Sequence, residues 1–246
     1  MIKIDNETKA KRNEEYNKKA RKYPAFLSLA LPIVLGVAMG IKDMTISNVW
    51  VKGLTYLVSI STISTALFFL LKFTLRDISK FYPGKILFCD RLKPTTRLLY
   101  SADGTYSEQK KSGIRKKIKS KKNIDLQKFK IKTYGNKNYV KRVDEAVDWL
   151  LDVTRFDDIL FEYNCLYGFW RNFTAALFVD ALLVIGLAGV NKWIYPLPFG
   201  ESLLWIGIVV LLLTIITTLV AYNTGRTFAK KVYDVFKNLD DDKGNY

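Results

Sequence analysis

The sequence predicts an α-helical membrane protein: four transmembrane helices in two pairs, with a small α+β cytoplasmic domain inserted between them. Two observations carry this reading. Residues 25–41, 53–71, 173–190 and 202–222 are long, apolar and nearly uncharged, as helices crossing a hydrocarbon layer must be. Between the pairs lies a segment of another kind, residues 73–172, with 22 basic and 12 acidic side chains. The chain therefore divides into a basic N-terminal helix (1–24), a first hairpin (25–72), a basic domain (73–172), a second hairpin (173–222) and a C-terminal tail (223–246).

Residues 6–22 are good helix formers with little apolar face. They read as a solvated, charged lead into Pro24, which is tolerated at a helix start. In the first span Pro32 predicts a kink, and Gly36 and Gly40 permit close helix approach. The second span carries the hydroxyls Ser59, Ser61, Thr62, Ser64 and Thr65. Beyond Lys72, residues 85–90, 97–101 and 129–133 read as short strands bounded by Pro, Gly and Asp breakers. Residues 107–122, 140–151 and 157–172 read as helices, with Val140, Val143, Val147, Leu150 and Leu151 on one face of the second. No breaker separates 157–172 from the third span, so one continuous helix is expected. The tail, 223–246, begins helical and ends in Asp240–Asp242; fraying is the expectation.

Charge sets the topology. Only Lys42, Lys52 and Lys192 lie in the short loops within the pairs, and the other 36 of 39 basic residues flank the opposite side. The positive-inside rule then puts both termini and 73–172 in the cytoplasm of a multi-pass inner-membrane protein. Tyr23, Trp50, Trp170, Trp193, Tyr195 and Tyr222 fall near span ends, where interfacial aromatics belong. The charged lead is too long for a cleaved signal peptide, and no small-residue cleavage site follows the first run.

Histidine is absent, which excludes imidazole-based triads, zinc sites and proton shuttles. Cys89 and Cys165 lack metal-ligand spacing and read as reduced thiols. There is no phosphate-binding glycine loop and no pairing of nucleophile with base, so neither an enzyme nor a cofactor is expected. The carboxylate runs at 157–158 and 240–242 read as surface charge.

Two places remain. Asp180 lies inside the third span, at the depth of Ser64, Thr65, Thr217 and Thr218. A carboxylate there is costly and faces a bundle interior, a water-filled cavity or a polar partner. It reads either as part of a pore or gating layer in a homo-oligomer, or as a hydrogen-bonded carboxylate fixing helix packing. The second place is the basic helix: Lys110, Lys111, Arg115, Lys116, Lys117, Lys119, Lys121 and Lys122 crowd around a seam of Ile114 and Ile118. Such a helix displays cation stripes to a phosphate backbone, with Tyr100, Tyr106, Phe129, Tyr134 and Tyr139 available for stacking. The plainer reading is a patch facing solvent or anionic lipid.

The stretches Pro-Thr-Thr-Arg-Leu-Leu-Tyr at 94–100, 107–118, and Tyr-Gly-Phe-Trp-Arg-Asn at 167–172 resemble the transmembrane effectors of Hailong-type bacterial anti-phage systems, four-span pore-forming proteins encoded beside a nucleotidyltransferase. The layout of two membrane pairs around a cytoplasmic domain is similar over most of the chain. The resemblance implies a homo-oligomeric channel, with a tetramer as the working assembly, held shut by single-stranded DNA oligomers made by the nucleotidyltransferase. Arg97, Lys110, Lys111, Arg115 and Lys117 fall in the similar stretches; Tyr100, Lys121 and Lys122 complete the expected ligand-binding set. The competing reading is a non-conducting anchor or adaptor whose basic domain recruits nucleic acid or anionic lipid. A small transporter fits less well, for want of an inverted repeat.

Overall fold

The computed structural model describes residues 6–42, 49–83, 93–99, 103–126, 137–194 and 200–239. Every regular element among them is helical: α1 (Asn6–Asn17), a π-helical turn (Lys18–Lys22), α2 (Tyr23–Ser28), α3 (Ala30–Lys42), α4 (Val49–Phe81), α5 (Pro94–Leu98), α6 (Glu108–Lys122), α7 (Lys137–Thr154), α8 (Asp158–Trp193) and α9 (Gly200–Asn238). The described residues form two compact units, one from 93–167 and 222–239, the other from 7–83 and 168–221. Helices α8 and α9 each contribute to both.

In the unit of 7–83 and 168–221, α8 and α9 are long and apolar enough to cross a membrane. At 1.5 Å per residue, the 36 residues of α8 extend about 54 Å. Leu182, Ile185, Trp205, Val209, Leu212, Ile215, Ile216 and Leu219 are exposed. A contiguous apolar surface of this kind is unfavourable in water and natural against lipid. The buried face of α8 packs Ala175 and Ala176 with Ala25, Leu29, Leu71 and Leu75, and farther along Val184 with Leu35 and Leu203.

Proline shapes the entry to this unit. Pro24 has no N–H to give the carbonyl four residues back, and the chain relaxes into the π-helical turn 18–22. The carbonyl concerned, that of Ala20, accepts instead from Asn172 Nδ2 at 2.5 Å. Pro32 acts the same way: one turn back the regular helix is interrupted at Leu29, between α2 and α3, with Leu29 itself still in the right-handed helical region. The lead helix, expected to be solvated, is docked at its end. Ala20 is fully buried, and a Cβ on Gly168 would meet Ala20 Cβ at 2.8 Å and the Tyr16 hydroxyl at 2.9 Å. The packing of Gly36 and Gly40 lies outside the described residues.

The unit of 93–167 and 222–239 has one core. Leu98, Leu99, Ile114, Ile118, Leu126, Val143, Ala146, Val147, Leu150 and Leu160 close around Ala229, Val232, Tyr233 and Phe236 of α9. Residues 223–239, expected as a fraying tail, are therefore core material; only 240–246 lie outside the described residues. The predicted strand at 97–101 is corrected too. Pro94 at the first helical position, after Lys93 in extended conformation, starts α5 and carries Arg97 and Leu98 as helix. The other two predicted strands, 85–90 and 129–133, lie outside the described residues. Helix α6 matches its prediction because its ends are signalled locally. Ser107 caps the start by accepting from the Lys110 N–H at 3.2 Å. Asn123 ends it in the left-handed region at φ 58°. Asp157 likewise caps α8, accepting from the Leu160 N–H at 2.7 Å. Cys165 is buried and in no disulfide; Cys89 lies outside the described residues.

The close approach at Gly168 is testable. Gly168→Ala should cost about 1–3 kcal/mol through overpacking against Ala20, read as a lower thermal midpoint of the detergent-solubilised protein. An unchanged midpoint would mean that the lead helix is not held at this contact.

Candidate functional site

Helix α6 has a buried seam, as its sequence predicts, with Ile118 fully buried and Ile114 nearly so. The cations around the seam differ sharply in what they meet. Lys111 is 1% exposed; its ammonium donates to the Asp103 carbonyl at 2.5 Å and lies 3.3 Å from Glu108. Arg115 donates to the Leu99 carbonyl at 2.8 Å and approaches Glu108 at 3.5 Å. Lys119 pairs with Asp125 at 3.1 Å. Arg97 Nε stands 3.4 Å from Asp103 Oδ2, without the alignment of a hydrogen bond. These four therefore hold α6 and its neighbours in place. Lys116 and Lys122 are exposed, and Lys121 is half-buried. Tyr100 lies outside the described residues.

Lys110 and Lys117 share another setting. Lys110 lies 3.8 Å above the Tyr106 ring and 3.5 Å from Asp234. Lys117 donates to the carbonyls of Lys237 at 2.9 Å and Leu239 at 2.7 Å. Its ammonium thus caps the C-terminal end of α9, where carbonyls lack helical partners. Between the two lysines lies a groove of about 480 Å³, lined by Ser107, Gln109, Lys110, Gly113, Ile114 and Lys117 of the α6 side and by Tyr233, Phe236 and Lys237 of α9. A Cβ added to Gly113 would meet nothing within 4 Å, so the groove is open there. Among the described residues the lining carries three ammonium groups and no carboxylate.

Beneath the groove the aromatic packing is tight. Tyr233 donates its hydroxyl to the Thr95 carbonyl at 2.7 Å and meets Tyr106 edge-to-face. Burial, and then the neighbouring Tyr106, pushes the Tyr233 phenol well above its ordinary pKa. Burial, and then the Asp234 carboxylate, raises Tyr106 in the same way. Both stay neutral donors. Tyr106 is the one proposed stacking aromatic whose side chain is described, and it belongs to the core.

In the other unit Asp180 is 3% exposed. It makes no hydrogen bond or ion pair among the described residues. The hydroxyls expected beside it are satisfied by their own helices: Thr65 donates to the Ser61 carbonyl at 2.7 Å, Thr217 to Leu213 at 2.9 Å, and Thr218 to Thr214 at 2.6 Å. Ser64 is half-buried on α4. Thr218 also meets the Tyr82 hydroxyl at 3.1 Å, and Tyr82 stacks on Phe178 at 4.4 Å. Tyr82 and the buried Thr214 are thus polar residues of this unit that the sequence reading missed.

No protein-family model, curated protein or solved structure matches this chain.

Of the missed groove residues, Tyr233 and Phe236 did have a signal, and Gly113 and Lys237 had none. Ala229, Val232, Tyr233 and Phe236 recur at helical spacing, which marks an apolar face on 223–239.

The contrast among the cations predicts unequal costs. Lys111→Ala should destabilise by about 1–3 kcal/mol, because it removes a buried stem and orphans a carbonyl. Lys116→Ala should stay within about 0.5 kcal/mol, as an exposed substitution does. Urea midpoints for the two variants check the difference, and equal midpoints would contradict the assignment of Lys111 to the core.

Proposed function

We propose that the protein is a homo-oligomeric, ligand-controlled pore-forming effector of the inner membrane. It crosses the bilayer four times in two pairs, with both termini and the basic domain in the cytoplasm. The basic domain binds a single-stranded oligonucleotide made by a partner nucleotidyltransferase, and the bound oligonucleotide sets whether the pore conducts. Anti-phage defence is the setting that the sequence resemblance implies.

The observation that carries this reading is Asp180. A carboxylate in an apolar, membrane-length helix, with no partner among the described residues, is a group that water or a neighbouring subunit would satisfy. Both belong to an assembled pore, and too few helices are present in one chain to enclose an aqueous path. The ligand half of the reading is supported by the cation-rimmed groove and by the exposed Lys122. Polyanions are drawn to such surfaces with a strong dependence on salt.

Reconstitution into liposomes tests the pore. Asp180→Asn keeps shape and removes charge, and should change cation flux severalfold while the oligomer stays intact on size exclusion. Unchanged flux would reduce Asp180 to helix packing and favour the non-conducting anchor. Oligonucleotide binding by the full-length protein should weaken steeply between low and physiological salt; affinity indifferent to salt would remove the polyanion.

A further inference from the structure

The groove beside α6 has a feature that a plain basic patch lacks: one of its three ammonium groups is already committed to the end of α9. Lys117 donates to two neutral carbonyls, those of Lys237 and Leu239. A phosphate oxygen in the groove is a charged acceptor, and its coulombic attraction for the ammonium adds to the hydrogen bond that a neutral carbonyl can already accept. Lys237 is exposed, and among the described residues Lys110 is held by an exposed ion pair and a ring alone, so both can turn toward an anion at small cost. The opening at Gly113 leaves room for a body attached to that anion, and Ile114 and Phe236 supply apolar floor.

We propose that this groove seats one nucleotide unit of a single strand, its phosphate held by Lys110, Lys117 and Lys237, and that the phosphate takes Lys117 away from the C-terminal carbonyls of α9. The inference rests on the oligonucleotide reading above and names the seat and the relay. Occupancy of the groove uncaps α9, the helix that also supplies one of the two membrane-length segments. The last turn then loosens, since its carbonyls lose their only cationic partner among the described residues. Binding is thereby converted into a change in the end of a long helix without any new contact to that helix's apolar part.

The test uses the full-length protein in detergent with fluorescein-labelled oligothymidylate, read by anisotropy. Gly113→Leu fills the groove without changing charge, and Lys237→Met removes one rim cation. Each should weaken binding about tenfold, whereas Lys116→Met, the same charge change away from the groove, should weaken it about twofold at most. Gly113→Ala provides a milder step should the leucine disturb folding, which circular dichroism monitors. Equal weakening by Lys116→Met and Lys237→Met would overturn the groove while leaving polyanion binding standing. No binding by the parent protein at low salt would instead sink the oligonucleotide reading itself. Competition by inorganic phosphate or phosphatidylglycerol vesicles as strong as that of unlabelled oligothymidylate would overturn the nucleotide assignment. For the relay, hydrogen exchange in 233–239 should speed up when the parent is saturated with oligonucleotide. In Lys117→Met it should be fast already and unmoved by ligand. Slower exchange in the liganded parent would overturn the competition for Lys117.

Discussion

Ala229, Val232, Tyr233 and Phe236 occupy the centre of the basic unit, and its other helices close around them. Helix α6 is mostly charge, with only a two-isoleucine seam to bury, and α5 spans a single short turn. Neither has enough apolar surface to form a core by itself, since helices in proteins owe most of their stability to a packed face. The end of α9 supplies that face. The arrangement of α6, and hence of its lysines, follows from this packing.

The dense charge of α6 then finds its place. A row of like charges on one helix is self-repelling, and the fold relieves it by giving several cations local acceptors. Lys111 and Arg115 share Glu108 and take backbone carbonyls, Lys119 takes Asp125, and Lys117 takes the end of α9. A net-charge count treats all eight cations as surface available to a partner. The structure divides them into groups that organise the domain and groups that remain at its rim.

In the membrane-length helices another constraint governs. Backbone and side-chain polar groups surrounded by apolar neighbours must be satisfied within the protein. The threonines of α9 obey it by donating to carbonyls one turn back, and Ala20, deprived of a backbone donor by Pro24, obeys it through Asn172. Asp180 has no such local solution, because a carboxylate can only accept and every nearby helical N–H is already used. That is why it differs from the threonine hydroxyls expected beside it.

Much of this was local and therefore legible in the sequence. Run length and apolarity marked α8 and α9, Ser107 and Asn123 marked the ends of α6, and the absence of a breaker marked the continuity of α8 from 158 to 193. The strand expected at 97–101 failed because Leu98 and Leu99 form an apolar pair too short to carry a period; Pro94 decides for helix. The groove was beyond reach, since it joins Gly113 and Lys117 to residues about 120 positions away. Sequence alone determined that the long segments are helical, which of them are apolar enough for lipid and where charge is concentrated, because each depends on neighbours along the chain. Only tertiary packing decided which lysine is buried, which one caps α9 and which buried carboxylate has no partner among the described residues, because those outcomes depend on what lies across space.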